Sequence, residues 1–188
     1  MKHVLYALLT AVSILFTSCG PSSNTNNPQV PNVPQPQPQP QPEVTQKVVI
    51  GYLALDDWEF ENLFPTIEWR YLTHINASFA RVKADGTLNI EPVRKRIESV
   101  RETAHKHNVK ILISLAKNTP GEFTTAINDP KARKELIQQI IAFTKEYKLD
   151  GFDIDYEEYD NWDKNFPSLL VFARGLYLAK EKNMLMTC

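Results

Sequence analysis

Two cysteines, Cys19 and Cys188, are too few to make a disulfide framework. Charge of one sign is also missing. Lys and Arg number 21 against 22 Asp and Glu, for a net charge of −1. No basic block rises above that background, which excludes a nucleic-acid partner. No G-x-G-x-x-G follows the first strand pattern, so a dinucleotide-binding fold has no support. The apolar run from Val4 to Phe16 is too short to span a bilayer.

What is present begins with that short run. Lys2 and His3 precede it and small residues end it, the pattern of a secretory signal peptide over residues 1–18. Phe16-Thr17-Ser18-Cys19 resembles the lipobox of bacterial lipoproteins, with Phe where Leu is commoner. The resemblance implies a lipidated Cys19, a membrane partner through that anchor, and a place in the bacterial cell envelope, periplasmic or surface. Residues 19–46 are rich in Ser, Asn, Pro and Gln, with an alternating Pro-Gln run from Pro34 to Pro42. Such a segment cannot bury apolar surface and reads as an extended spacer, at about 3.1 Å per residue.

From Lys47 the chain alternates strand and helix patterns. Apolar runs predict strands at Val48–Leu53, Tyr71–Ala80, Val109–Leu115 and Phe152–Tyr156, and the start of a fifth at Met184–Thr187. Glu91 to His107 has helical spacing through Val93, Ile97, Val100 and Ala104. Asp129-Pro130 reads as a cap and first residue of a helix running to about Lys148. Asn165 is expected to cap another, with Pro167 in its first turn and Leu169, Leu170, Phe172 and Leu176 buried. Residues 57–69 give no clear pattern beyond room for a short helix. Strand–helix–strand repetition implies a parallel sheet of the (β/α)8 barrel type. A full barrel takes about 250 residues, so residues 47–188 are expected to be a partial barrel of about four βα units. That expectation carries two others: edge strands at both ends, and an apolar inner face left uncovered.

The chemistry is concentrated in Asp150-Gly151-Phe152-Asp153-Ile154-Asp155-Tyr156-Glu157. Alternation along a strand puts Asp153, Asp155 and Glu157 on one face, about 6.5–7 Å apart. Three acids in one dry row cannot all ionise freely, and a carboxyl that keeps its proton can serve as a general acid. A solvated acidic edge would not interleave its acids with Phe, Ile and Tyr. A calcium loop fails at its sixth position, Glu158 instead of Gly, and its twelfth, Lys164 instead of Glu. Tyr52, Trp58 and Trp162, near strand ends, are candidates for stacking on sugar rings.

Residues 150–157 match the D-G-x-D-x-D-x-E signature of glycoside hydrolase family 18, which includes chitinases and endo-β-N-acetylglucosaminidases. Ile75–Ala80 resembles that family's second strand, and Asp163–Phe166 with Leu169, Leu170 and Arg174 resembles the helix after its catalytic strand. The resemblance implies hydrolysis of β-1,4 bonds beside N-acetylglucosamine, with an N-acetylglucosamine-containing glycan as partner and no cofactor or metal. Glu157 would be the acid, Asp155 the residue that holds the substrate acetamido group, and Asp153 would share a proton with Asp155. Asp150 would be structural. The third strand departs from the family's S-x-G-G, reading Ser114-Leu115-Ala116-Lys117. Ser114 remains a candidate for the substrate site, within reach of the acid row. The family's sixth-strand Tyr and eighth-strand Trp would lie beyond Cys188. Two alternatives stand beside the enzyme: a non-catalytic carbohydrate-binding lipoprotein, and an inactive fragment of such an enzyme.

Overall fold

Parallel strands need a crossover between them, and residues 47–188 provide a helical one each time. A computed structural model describes these residues. The signal segment, Cys19 and the linker to residue 46 lie outside the described residues. The strands are β1 (Ile50–Ala54), β2 (His74–Val82), β3 (Leu88–Asn89), β4 (Lys110–Lys117), β5 (Gly151–Ile154) and β6 (Leu185–Thr187). The parallel order β1-β2-β4-β5-β6 follows the chain, and β3 pairs antiparallel with the end of β2. With no reversal of order there is no switch point of the doubly wound kind. Crossovers of one hand then stack their helices on one side, and the result is an arc of barrel type. Among the described residues β1 and β6 are its edges.

The helices are α1 (Phe60–Leu63), α2 (Glu91–Arg94), α3 (Ile97–Lys106), α4 (Glu122–Asn128), α5 (Pro130–Glu146) and α6 (Trp162–Ala179). Leu53, Ile75, Ile113, Leu115, Phe152 and Ile154 face them from the sheet. Val100, Ala104, Phe123, Leu136, Ile140, Phe172 and Leu176 face back, forming one buried cluster. Burying a side chain such as Phe152 stabilises by about 1.5–3 kcal/mol. Asp129 caps α5 as expected, its Oδ1 accepting from the Ala132 amide at 2.7 Å. Among the described residues no helix is long and apolar enough to cross a membrane.

The structure corrects several boundaries. The helix expected over Glu91–His107 breaks at Lys95-Arg96. There Arg96 turns toward the β1–α1 loop, donating to the Asp57 carbonyl at 3.0 Å and covering the Phe60 ring at 4.3 Å. Helix α6 starts at Trp162, so Asn165 lies inside it rather than at its cap, and Pro167 is interior. The Asn165 side chain instead donates to the Asp160 carbonyl at 2.9 Å. Leu170 is 53% exposed, although Phe172 and Leu176 are buried as expected. Residues 57–69 hold α1 and a 3-10 turn at Phe64–Thr66, with a second turn beginning at Trp69. The inner face, expected to be apolar, is mixed. In-register neighbours share a face, and this one carries Tyr52, Asn76, Ser78, Ser114, Asp153 and Thr187 beside the apolar Leu112 and Leu185.

Candidate active site

Strand β5 is fixed at its entry. Asp150 Oδ2 accepts from the Ile111 amide and pairs with His105 Nε2, each at 2.8 Å, tying β5 to β4 and α3. A Cβ on the next residue, Gly151, would collide with the Leu185 carbonyl of β6. That close approach explains the glycine, and Asp150 has the structural place expected of it.

Two residues on, Asp153 points to the inner face and is 1% exposed. A buried carboxylate needs donors, and Asp153 has three. Ser114 Oγ donates to Oδ2 at 2.6 Å and Tyr52 Oη to the same oxygen at 2.9 Å; Thr187 Oγ1 donates to Oδ1 at 2.6 Å. Burial, and the Asp153 charge its hydroxyl faces, raise the proton affinity of Tyr52, against the opposing influence of the Asn76 side chain. Tyr52 and Ser114 are therefore brought to the acid row as supports of Asp153. Fully buried, Ser114 presents no surface to a ligand here. No hydrogen bond among the described residues joins Asp153 to Asp155.

The alternation expected through Glu157 ends early, because β5 stops at Ile154. The Asp155 amide still reaches the Leu115 carbonyl at 3.0 Å. Its half-buried carboxyl is pushed above the usual range by burial first, then by repulsion from Glu157 and Asp153. Lys117 and Arg81 pull the other way. Glu157 lies past the strand with its side chain 60% exposed. Lys117 Nζ donates to the Glu157 carbonyl at 3.2 Å and stands 3.5 Å from Oε2. The row is thus graded, from a sealed Asp153 through Asp155 to an open Glu157.

Helix α4, which the sequence pattern missed, closes the far side. Buried Glu158 accepts from the Gly121 amide and from Thr124, whose amide and hydroxyl each approach Oε2 at 2.6 Å. Lys117, Gly121, Thr124, Glu157, Tyr159 and Asn161 help line a groove of about 460 Å³. Trp162, the first residue of α6, does not line that groove and belongs to an aromatic run, with ring centroids 6.4 Å from Tyr156 and 5.0 Å from Phe166. Trp58 is 83% exposed in the β1–α1 loop, with no described contact to the acids. Among the described residues no group of His, Cys, Asp or Glu is arranged to hold a metal ion. The sequence pattern also missed Thr187 and Glu158. Register alone brings Thr187 to Asp153, and Glu158 is distinguished only by the loop that folds onto it.

Residues 48–188 match the family profile described as "Glycosyl hydrolases family 18". The chain belongs to that family. A crystal structure of a chitinase from Bacteroides thetaiotaomicron is 97% identical, with a TM-score of 0.75, over 76% of this chain and 46% of that one. A family 18 chitinase from Cycas revoluta, solved in complex with (GlcNAc)3, shares the fold at 23% identity and a TM-score of 0.63, over 73% of this chain and 44% of that one. Chitinase B of Serratia marcescens is 26% identical over 144 residues, 60% of this chain and 28% of that protein. This chain therefore spans less than half the length of each. Within the family 18 frame, the departure from S-x-G-G keeps its serine on Asp153 and places Lys117 where it touches Glu157.

Proposed function

We propose that the protein hydrolyses β-1,4 bonds next to N-acetylglucosamine, in chitin-type oligosaccharides or the core of N-linked glycans, with retention of configuration. Protonated Glu157 gives its proton to the glycosidic oxygen as the bond from C1 to the leaving sugar breaks. The substrate's own acetamido oxygen forms the new bond to C1, giving an oxazolinium ion, and Asp155 accepts the acetamido N–H. Water then attacks C1 as the bond from C1 to the acetamido oxygen breaks, and the Glu157 carboxylate takes its proton. Asp153, held by Ser114, Tyr52 and Thr187, fixes the electrostatic floor beneath Asp155. The graded burial of the acids carries this reading, because only the outermost, Glu157, opens to a groove where a leaving sugar can sit. The 97% identical chitinase supports a chitin-type substrate.

In the full-length protein, Glu157→Gln should lower turnover of a chitooligosaccharide by about 10²–10⁴-fold while binding survives. Retained turnover would remove Glu157 as the acid, and a wild type that binds without turnover would favour a carbohydrate-binding lipoprotein. Lipid anchoring through Cys19 in the cell envelope belongs to the same proposal. Cys19→Ala should move the protein from the detergent to the aqueous phase, and equal partitioning would exclude the anchor.

A further inference from the structure

The residues on either side of Glu157 both turn away from it and converge on one hydroxyl. Thr124 Oγ1 donates to Glu158 Oε2, and its other polar neighbour is the Tyr156 hydroxyl. A hydroxyl has one proton to give. With that proton directed to Glu158 Oε2, the Tyr156 O–H is the donor to Thr124 Oγ1, and the chain runs from tyrosine through threonine to carboxylate. Burial and the Glu158 charge raise the proton affinity of Tyr156 against the Thr124 bond, which keeps it a neutral donor. The Glu158 carboxylate is closed off by the Gly121 and Thr124 amides at the start of α4, and the residue is 8% exposed. Phe123 meets the Tyr156 ring edge-on at 5.4 Å and seals the same flank. Past the Asp155 amide, which still reaches the Leu115 carbonyl, residues 156–158 make no backbone hydrogen bonds to a neighbouring strand among the described residues. These side chains take their place, and they leave Glu157 as the exposed member of the Tyr156-Glu157-Glu158 triplet, with Glu158 buried in the groove wall.

We propose that Glu158 and Thr124 are positioning residues for the acid, a clamp on both chain neighbours of Glu157 that fixes where its carboxyl can reach. This rests on the reading of Glu157 as the general acid. A general acid works only within hydrogen-bond reach of the oxygen it protonates, and a displacement of about 1 Å can cost about 10²-fold in rate. Glu158 and Thr124 border the groove, but their side-chain polar atoms are taken up by each other, by Tyr156 and by the α4 amides rather than offered to a sugar. Their effect therefore falls on kcat, with KM changed little.

The test uses the full-length protein and a chitooligosaccharide, with kcat, KM and thermal unfolding measured on each variant. Glu158→Gln removes the charge at constant size and should lower kcat by about 10- to 100-fold with a near-normal KM. Thr124→Val should do the same, and Thr124→Ser, which keeps the hydroxyl, should restore most of kcat. A purely structural role would lower the melting temperature and leave kcat per folded molecule unchanged in Thr124→Val. If Glu158→Gln does not fold, the Val and Ser pair at Thr124 decides. A folded Glu158→Gln or Thr124→Val with wild-type kcat overturns the clamp. If instead Glu157→Gln keeps full activity, the acid assignment itself has failed, and the two failures are told apart by that control.

Discussion

The two faces of β5 are built from alternate residues of one short strand, yet they are held by different physics. Toward the helices, Phe152 and Ile154 sit in a close-packed apolar cluster with Phe123 and Phe172. Toward the inside, Asp153 is as deeply buried but is surrounded by hydroxyls from three other strands. The first face is stabilised by burial itself, which is non-directional and tolerant of similar shapes. The second needs each donor in place, because a buried carboxylate left short of partners is costly. Nearby, Asn76 Oδ1 is buried without a partner among the described atoms, which the apolar face never requires. Stability therefore resides mainly on the helix side, and the proposed chemistry on the inner side.

That contrast can be broken most forcefully at Phe152. Phe152→Ala should destabilise by about 3–5 kcal/mol in denaturant titration, through lost burial and a cavity. An inner-face change should separate stability from activity. Ser114→Ala removes one of the three donors to Asp153 and should cost about 1–3 kcal/mol. Its loss of chitooligosaccharide turnover should exceed what its unfolded fraction accounts for. Equal losses of both would erase the distinction between the faces.

Electrostatic tests are smaller and sharpen the same comparison. In the proposed mechanism Asp155 acts in its ionised form, as acceptor of the acetamido N–H and counter-charge to the oxazolinium ion. Lys117→Met removes a cation that opposes the burial and repulsion raising its carboxyl, so proton affinity rises further. The acid limb of kcat/KM should move to higher pH, and Lys117→Arg should move it back. An unmoved limb would mean that Lys117 acts only by holding the Glu157 carbonyl. The smallest effect is on stability. A carboxyl raised in the folded state contributes stability fully below its unfolded range and loses it as pH rises through the folded value. Asp155→Asn should therefore melt above wild type at neutral pH and lose that advantage near pH ~3. The difference stays modest because the group is partly solvated.

Much of this was written in local pattern. The order of the five parallel strands, the Asp129-Pro130 start of α5 and the shared face of Asp153 and Asp155 follow from periodicity and capping chemistry, which depend on near neighbours in the chain, whereas β3 and α4 do not. Asp150 and Gly151 were legible as a motif, although the reasons for them, the Ile111 amide and the Leu185 carbonyl, lie on other strands.

The tertiary structure decided the rest. It ended β5 at Ile154, so the third acid left the row and met Lys117 from β4. It broke the 91–107 helix where Arg96 found carbonyls of the β1–α1 loop. It brought Thr187 to Asp153 through strand register, and Thr124 to Glu158 through the fold of α4. These contacts join residues some 30 or more positions apart. Whether a side chain at one end finds its partner at the other depends on where packing places the strands and helices between them, which no local period records.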